Sequence, residues 1–343
     1  MKKIITVFIA IITFVLISWF FDSKTTGKLI DDTQKPPKPL KIAIAKSIEF
    51  YQPKMILLGN SMLQNGIDEN LFNQCVGIKT LKITLGGSAS AWWYLTMKNV
   101  IAKAHRKPDM VVLFFRDDFL IRPEFRVDGS YLGYINDMRD PGGESLLDRL
   151  AYLNNLNQLQ YLLIKHSSVA QMHYQAKPAI NDLIKAKIVG PMTGNQPKAI
   201  EKAIARVFEN KKLNQNLLTN RQLASEMTKN DSERQFSQKL NNSFLPEIVS
   251  IAGDSNIRLI LVRVKCRRDL TPGQQPEHLL HYIDQLKKYC QSKNVDLIDF
   301  SDDDRIRSEH YADGDHLNPA GCRLFTKMVA DKIRTLTGNK KVL

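Results

Sequence analysis

The sequence predicts an α/β fold: a three-layer sandwich with a parallel five-stranded sheet between helices, preceded by an N-terminal transmembrane helix and interrupted by a helical insertion. Three observations predict it. Short, wholly apolar runs recur along the chain, and such runs suit strands buried on both faces. Helical stretches separate the runs, as parallel crossovers require. Polar or glycine residues close each run, so Ser61, Gly87, Asp117 and the loop after Phe300 would collect on one sheet edge. That edge, beyond the carboxyl ends of the strands, is where α/β sheets hold ligands.

The elements follow in order. Lys2 and Lys3 precede an apolar run, Ile4 to Phe21, with no charge and no proline. About 18 residues at ~1.5 Å each span roughly 27 Å, close to a bilayer core. Trp19, Phe20 and Phe21 stand where an interfacial aromatic belt would be, and where a signal-peptidase site would need small residues. Residues 1–21 therefore read as an uncleaved single-pass anchor in the inner (cytoplasmic) membrane. The two lysines favour a cytoplasmic N-terminus, with the rest of the chain outside the cytoplasm. Residues 22–40, with Pro36, Pro37 and Pro39, read as a spacer.

Residues 41–118 form the first part of the α/β domain. Lys41 to Tyr51 is a helical candidate, and Met55 to Leu58 the first strand, ending at Gly59-Asn60-Ser61. Leu81 to Leu85 is the second strand, ending in Gly86-Gly87. Ala89 to Ala104 reads as a helix whose Trp92 and Trp93 pack into the core rather than stack on a sugar. Met110 to Phe115 is the third strand. Residues 119–250 lack the strand–helix repeat; Leu146 to Lys165, Pro197 to Lys211 and Arg221 to Leu245 are helical candidates for a solvated cap, with a lid or docking element as the alternative. Residues 251–343 complete the domain, with strands at Ile257 to Val264 and Val295 to Phe300 and helices at Glu277 to Cys290 and Pro319 to Leu336.

Chemistry concentrates at two places. A strand that breaks at a glycine and presents a serine at the head of a helix raises the hydroxyl off the sheet edge, so Ser61 is the candidate nucleophile. Leu63 stands where a G-x-S-x-G elbow would carry its second glycine. A serine hydroxyl needs a base within hydrogen-bond reach. Far along the chain, Asp313 and His316 lie three residues apart in a polar turn before a helix. Asp313 would fix the tautomer of His316, leaving Nε2 to accept the serine proton. Asp315 reads as a turn or cap residue, and His310 as a surface residue.

Gly59-Asn60-Ser61 with Asp313-x-x-His316 resembles the SGNH (GDSL-type) hydrolase superfamily, with Asn60 where many members carry Asp. Residues 59–68, 85–89 and 107–113 are similar to its membrane-anchored bacterial branch, which includes the teichoic acid D-alanine transfer protein and the alginate acetyltransferases. The resemblance implies a flavodoxin-like fold and a Ser61–His316–Asp313 triad. It implies an oxyanion hole from the Ser61 and Gly87 N–H groups, with Gly86 as the nearby alternative. Arg116, Asp117 and Asn60 are substrate-binding candidates. Where the family places an asparagine donor in its third block, Asp117 stands in Phe115-Arg116-Asp117-Asp118.

The resemblance further implies an O-acyltransferase or esterase working on an envelope polysaccharide, with a multi-span membrane O-acyltransferase as acyl donor. The alternative is an inactive module of the same fold, serving carbohydrate binding or assembly. The formal charge of +14 suits an anionic polymer or membrane surface. No nucleic-acid motif accompanies it, so no nucleic acid partner is expected. The histidines show no metal-ligand spacing, and no cofactor is expected. The four cysteines, 75, 266, 290 and 322, permit disulfides outside the cytoplasm, with Cys266–Cys290 the first pair to test and free thiols equally open.

Overall fold

A computed structural model describes residues 39–127, 131–153, 232–271 and 275–338. The expected anchor, the linker before residue 39 and the helical candidate at 197–211 lie outside them. Among the described residues no helix is long and apolar enough to cross a membrane. Two compact units are present, one holding the described residues 127–153 and the other the sheet.

In the sheet unit, α1 (Leu40–Tyr51) leads into β1 (Met55–Gly59), α2 (Ser61–Gly66), α3 (Glu69–Val76), β2 (Thr80–Thr84) and α4 (Ser90–Thr96). β3 (Met110–Phe115) follows. In the other unit, α5 (Leu132–Met138) and the single turn α6 (Ser145–Leu147) lead into a π-helical turn, Asp148–Leu153. There the Tyr152 hydroxyl donates to the Val127 carbonyl at 2.9 Å, and Arg139 pairs with Asp148 at 2.6 Å. The sheet unit resumes with α7 (Ser232–Asn241), α8 (Leu245–Asp254), β4 (Arg258–Arg263), α9 (Glu277–Ser292), β5 (Asp296–Asp299) and α10 (Pro319–Leu336).

The five strands are all parallel, in the order β2-β1-β3-β4-β5. That is the flavodoxin-like doubly wound order, whose ligand crevice opens between β1 and β3 at their carboxyl ends. Every residue of β1 and β3 is buried, which is why their sequences are continuously apolar rather than alternating. Met55, Leu57, Val112, Phe114, Ile260 and Val262 share one face with Phe325, Met328 and Val329 of α10. The alternate residues, Ile56, Leu58, Val111, Leu113, Leu259 and Leu261, are equally buried and point to the opposite face. There α8 packs against α4 and β4, and α9 against β5.

Most strand and helix limits fall within a residue or two of the expectation, and the larger differences lie elsewhere. The helix read as Ala89 to Ala104 is α4 followed by a π-helical turn, Met97–Ile101, where the Ala102 N–H reaches back to the Met97 carbonyl at 2.8 Å. The stretch read as one helix to Leu245 breaks at 242–244, and α8 begins at Leu245. α8 leads the chain into β4 and packs on it. Of the candidate at Leu146 to Lys165 the described residues cover α6 and the π turn; residues 154–165 lie outside them.

Candidate active site

Gly59 closes β1 where there is no room for a side chain: a Cβ there would stand 3.0 Å from that of Leu63 and 3.2 Å from that of Phe114. Asn60 caps α2, its Oδ1 accepting from the Met62 N–H at 3.0 Å. Its Nδ2 donates to the Ser88 carbonyl at 3.2 Å. Both ends of this amide are thus spent on backbone, and the residue is only 3% exposed. Asn60, a substrate-binding candidate in the sequence, thus ties the Ser61 turn to the loop after β2. Ser88 continues the tie: its Oγ accepts from the Trp93 indole N–H at 3.1 Å. Trp92 and Trp93 are fully buried, in agreement with the core reading.

The loop after β2 is a tight turn in which the Ser88 N–H donates to the Leu85 carbonyl at 3.0 Å. Gly87 occupies its third position with φ +71°, a conformation that glycine adopts without the Cβ penalty. Among the described residues neither the Ser61 nor the Gly87 N–H has a protein acceptor.

The C-terminal loop brings the distant partners to this edge. Tyr311 bridges Leu317, the Ala312 N–H donates to the His316 carbonyl at 2.9 Å, and the His316 N–H to the Asp313 carbonyl at 2.8 Å. Gly314 turns the loop at φ +46°. Asn318 caps α10 by accepting from the Gly321 N–H at 2.9 Å, while its own N–H donates to the His310 carbonyl at 2.8 Å. His310 is used there and at the Arg307 N–H, which its Nδ1 accepts at 2.9 Å.

The loop sets His316 Nε2 3.0 Å from Ser61 Oγ and His316 Nδ1 2.9 Å from Asp313 Oδ1. Both contacts lie within the range for proton exchange. The Asp313 side chain is 80% exposed and that of His316 36%, so the dyad opens to solvent on its carboxylate side.

Arg116 and Asp117 follow β3 and lie in an ion-pair chain. Arg116 Nε contacts Asp117 Oδ2 at 2.9 Å, its Nη1 pairs closely with Asp315, and the other Asp117 oxygen pairs closely with Arg268. Asp117 sits at φ +52°, a left-handed turn that an aspartate accepts more readily than most residues. Both its oxygens are occupied by guanidinium groups, so it is neither a free carboxylate nor an exposed pair. Burial alone would lower the Arg116 pKa, but the carboxylates of Asp315 and Asp269 around it hold it above the ordinary arginine value.

Sequence reading missed the part that Asp315, Arg267 and Arg268 take here. Asp315 lies in the turn, while Asn318 caps the helix: Asp315 Oδ1 accepts from the Arg267 N–H at 2.7 Å, and its Oδ2 meets Arg116. The available signal was the Cys266-Arg267-Arg268-Asp269 run directly after a strand, on the ligand-bearing edge. All four cysteines are free thiols, and burial pushes the pKa of Cys266 up and that of Cys290 up to about 12. Among the described residues no group of His, Cys, Asp or Glu is arranged to hold a metal ion.

Neither a family model nor a curated protein sequence matches this chain. Among solved structures, an acetyl xylan esterase, AlAXEase, aligns at TM-score 0.39 and 14% identity, over 83% of this chain and 100% of that one. A GDSL-like lipase from Bacteroides thetaiotaomicron aligns at TM-score 0.34 and 10% identity, over 81% of this chain and 88% of that one. Similarity this distant carries no activity or substrate across.

Proposed function

We propose that the protein is a serine-dependent esterase or O-acyltransferase working through an acyl-Ser61 intermediate. The observation that carries this reading is the 3.0 Å approach of Ser61 Oγ to His316 Nε2 across 255 positions of sequence, with Asp313 on the other ring nitrogen. In the first half-reaction Ser61 Oγ attacks the ester carbonyl and its proton passes to His316 Nε2. The imidazolium is stabilised by Asp313. The carbonyl oxygen becomes an oxyanion that the Ser61 and Gly87 N–H groups would receive. Collapse breaks the ester C–O bond, and His316 returns the proton to the departing alkoxide. In the second half, water or a hydroxyl acceptor gives its proton to His316 and attacks the acyl carbonyl; collapse breaks the bond between the acyl carbon and Ser61 Oγ, and His316 returns the proton to Ser61.

The acceptor decides between esterase and transferase. An envelope polysaccharide or other anionic polymer is the acceptor favoured by the formal charge of +14. The apolar run at Ile4 to Phe21 supports anchorage in the cytoplasmic membrane with the domain outside, where a multi-span membrane acyltransferase would supply acyl groups. The test uses a chromogenic acetyl ester, with and without a polyol acceptor, and a fluorophosphonate probe. Wild type should hydrolyse the ester and label, Ser61→Ala should do neither, and a rise in acyl transfer with acceptor would favour the transferase. Absence of labelling in wild type, or equal labelling in Ser61→Ala, would leave only a non-catalytic module of this fold.

A further inference from the structure

We propose that Asp315, clamped by Arg116, is a positioning residue that holds the His316 loop over Ser61. The inference rests on the acyl-transfer reading and extends it. Asp313 cannot do this alone. Its side chain is 80% exposed, and a solvated ion contact contributes little to fixing geometry. Asp315, adjacent to His316, turns inward instead, with one carboxylate oxygen on the Arg267 N–H and the other on Arg116.

Arg116 is held in turn by Asp117, and Asp117 by Arg268. The four side chains are only 14–28% exposed, so their attraction is less screened than that of surface pairs. They join three segments: the end of β3, the loop after β4 and the histidine loop. The chain alternates cation and anion, Arg268, Asp117, Arg116, Asp315, and sums to zero charge. It can therefore fix the loop without imposing a net field on the imidazole. Among the described residues, the other titratable or charged groups around it are Asp313 and Tyr311 in the histidine loop, Arg263, Cys266, Arg267 and Asp269 at the end of β4 and after it, and His278 on α9.

The test compares full-length wild type with Asp315→Asn, Arg116→Ala, Arg116→Lys and the double variant Arg116→Ala/Asp315→Asn. Asparagine keeps the shape and the acceptor for the Arg267 N–H, so Asp315→Asn carries the test even if Arg116→Ala folds poorly. Each single loss should lower kcat on a chromogenic acetyl ester about 10–100-fold, with KM changed less than about twofold, as expected for a general base displaced by a fraction of an ångström. Arg116→Lys should recover part of the rate, because an ammonium cannot make both contacts of the fork.

The pH profiles supply a signature that a purely structural role lacks. Arg116→Ala leaves a net negative charge beside His316 and should move the acid limb of kcat/KM to higher pH. Asp315→Asn leaves a net positive charge and should move it lower, and the double variant should return it toward wild type while kcat stays low. An active wild type whose single variants keep kcat within about twofold, or whose limbs fail to move in opposite directions, overturns the inference and leaves the acyl-transfer reading standing. An inert wild type removes both.

Discussion

The replacement Asn60→Asp tests how the Ser61 turn is held. An aspartate would keep the cap, since either oxygen can accept from the Met62 N–H, now at 3.0 Å. It would lose the donor that meets the Ser88 carbonyl at 3.2 Å and set a second acceptor against that carbonyl. At 3% exposure water cannot substitute. Removing the partner of a buried carbonyl costs about 1–3 kcal/mol, so a loss of about that size is expected near neutral pH. The protonated acid can donate to Ser88, so the folded pKa of the new carboxyl should lie above its unfolded value of about 4. A raised carboxyl pKa means that the folded state binds more protons between the two values. Stability relative to wild type should then be best below about pH 4, fall as pH rises through that window, and level off above the folded pKa. Urea denaturation of both proteins from pH 3.5 to 8 measures the difference. A loss that is independent of pH, or below about 0.5 kcal/mol throughout, would refute the view that the Asn60 donor holds this turn.

Three further outcomes are expected. Gly321→Ala would set a methyl onto the His310 carbonyl, separating α10 from the loop that carries His316; it should lower stability by about 1–3 kcal/mol, by thermal melting, and reduce ester turnover as well. A thiol reagent at pH 8 should react with Cys75 and Cys322, which are half-buried, and reach Cys266 and Cys290 only after denaturation, because burial closes these two off and raises their pKa values; rapid native reaction of all four would count against this. Hydrogen bonds from Arg305 hold the Asp303 carboxyl below its ordinary value. This stabilising contribution is present above the unfolded aspartate pKa and lost as pH falls through the folded one, so Asp303→Asn should matter at pH 7 and cease to matter near pH 2, as paired denaturation curves would reveal.

Where an element's own residues specify it, the sequence was enough. Met110 to Phe115 could only be a strand buried on both faces, and the structure makes it β3 with these limits. Pro319 to Leu336 was legible to the residue, because Asn318 caps it and Pro319 opens it. The Asp313–His316 pairing was equally local, set by a three-residue spacing in a turn. α8 was harder to read. Leu245 to Asp254 is one short helix following a charged stretch, and only its packing on β4 shows that it belongs to the sandwich.

In the sequence Asp315 reads as a turn or cap residue, Arg116 and Asp117 read as substrate-binding candidates, and Arg268 stands out not at all, because their partnership joins positions up to 199 apart. The tie between the Asn60 amide and the Ser88 carbonyl, 28 positions apart, was likewise invisible in the sequence. The sequence by itself determined the strands, the flanking helices, the Ser61 turn and the Asp-x-x-His loop, because periodicity, capping and turn chemistry act between neighbours in the chain. Only the tertiary structure decided which charges face one another and which polar groups are sealed from water, because those depend on how the crossovers carry separate strand ends to a common edge.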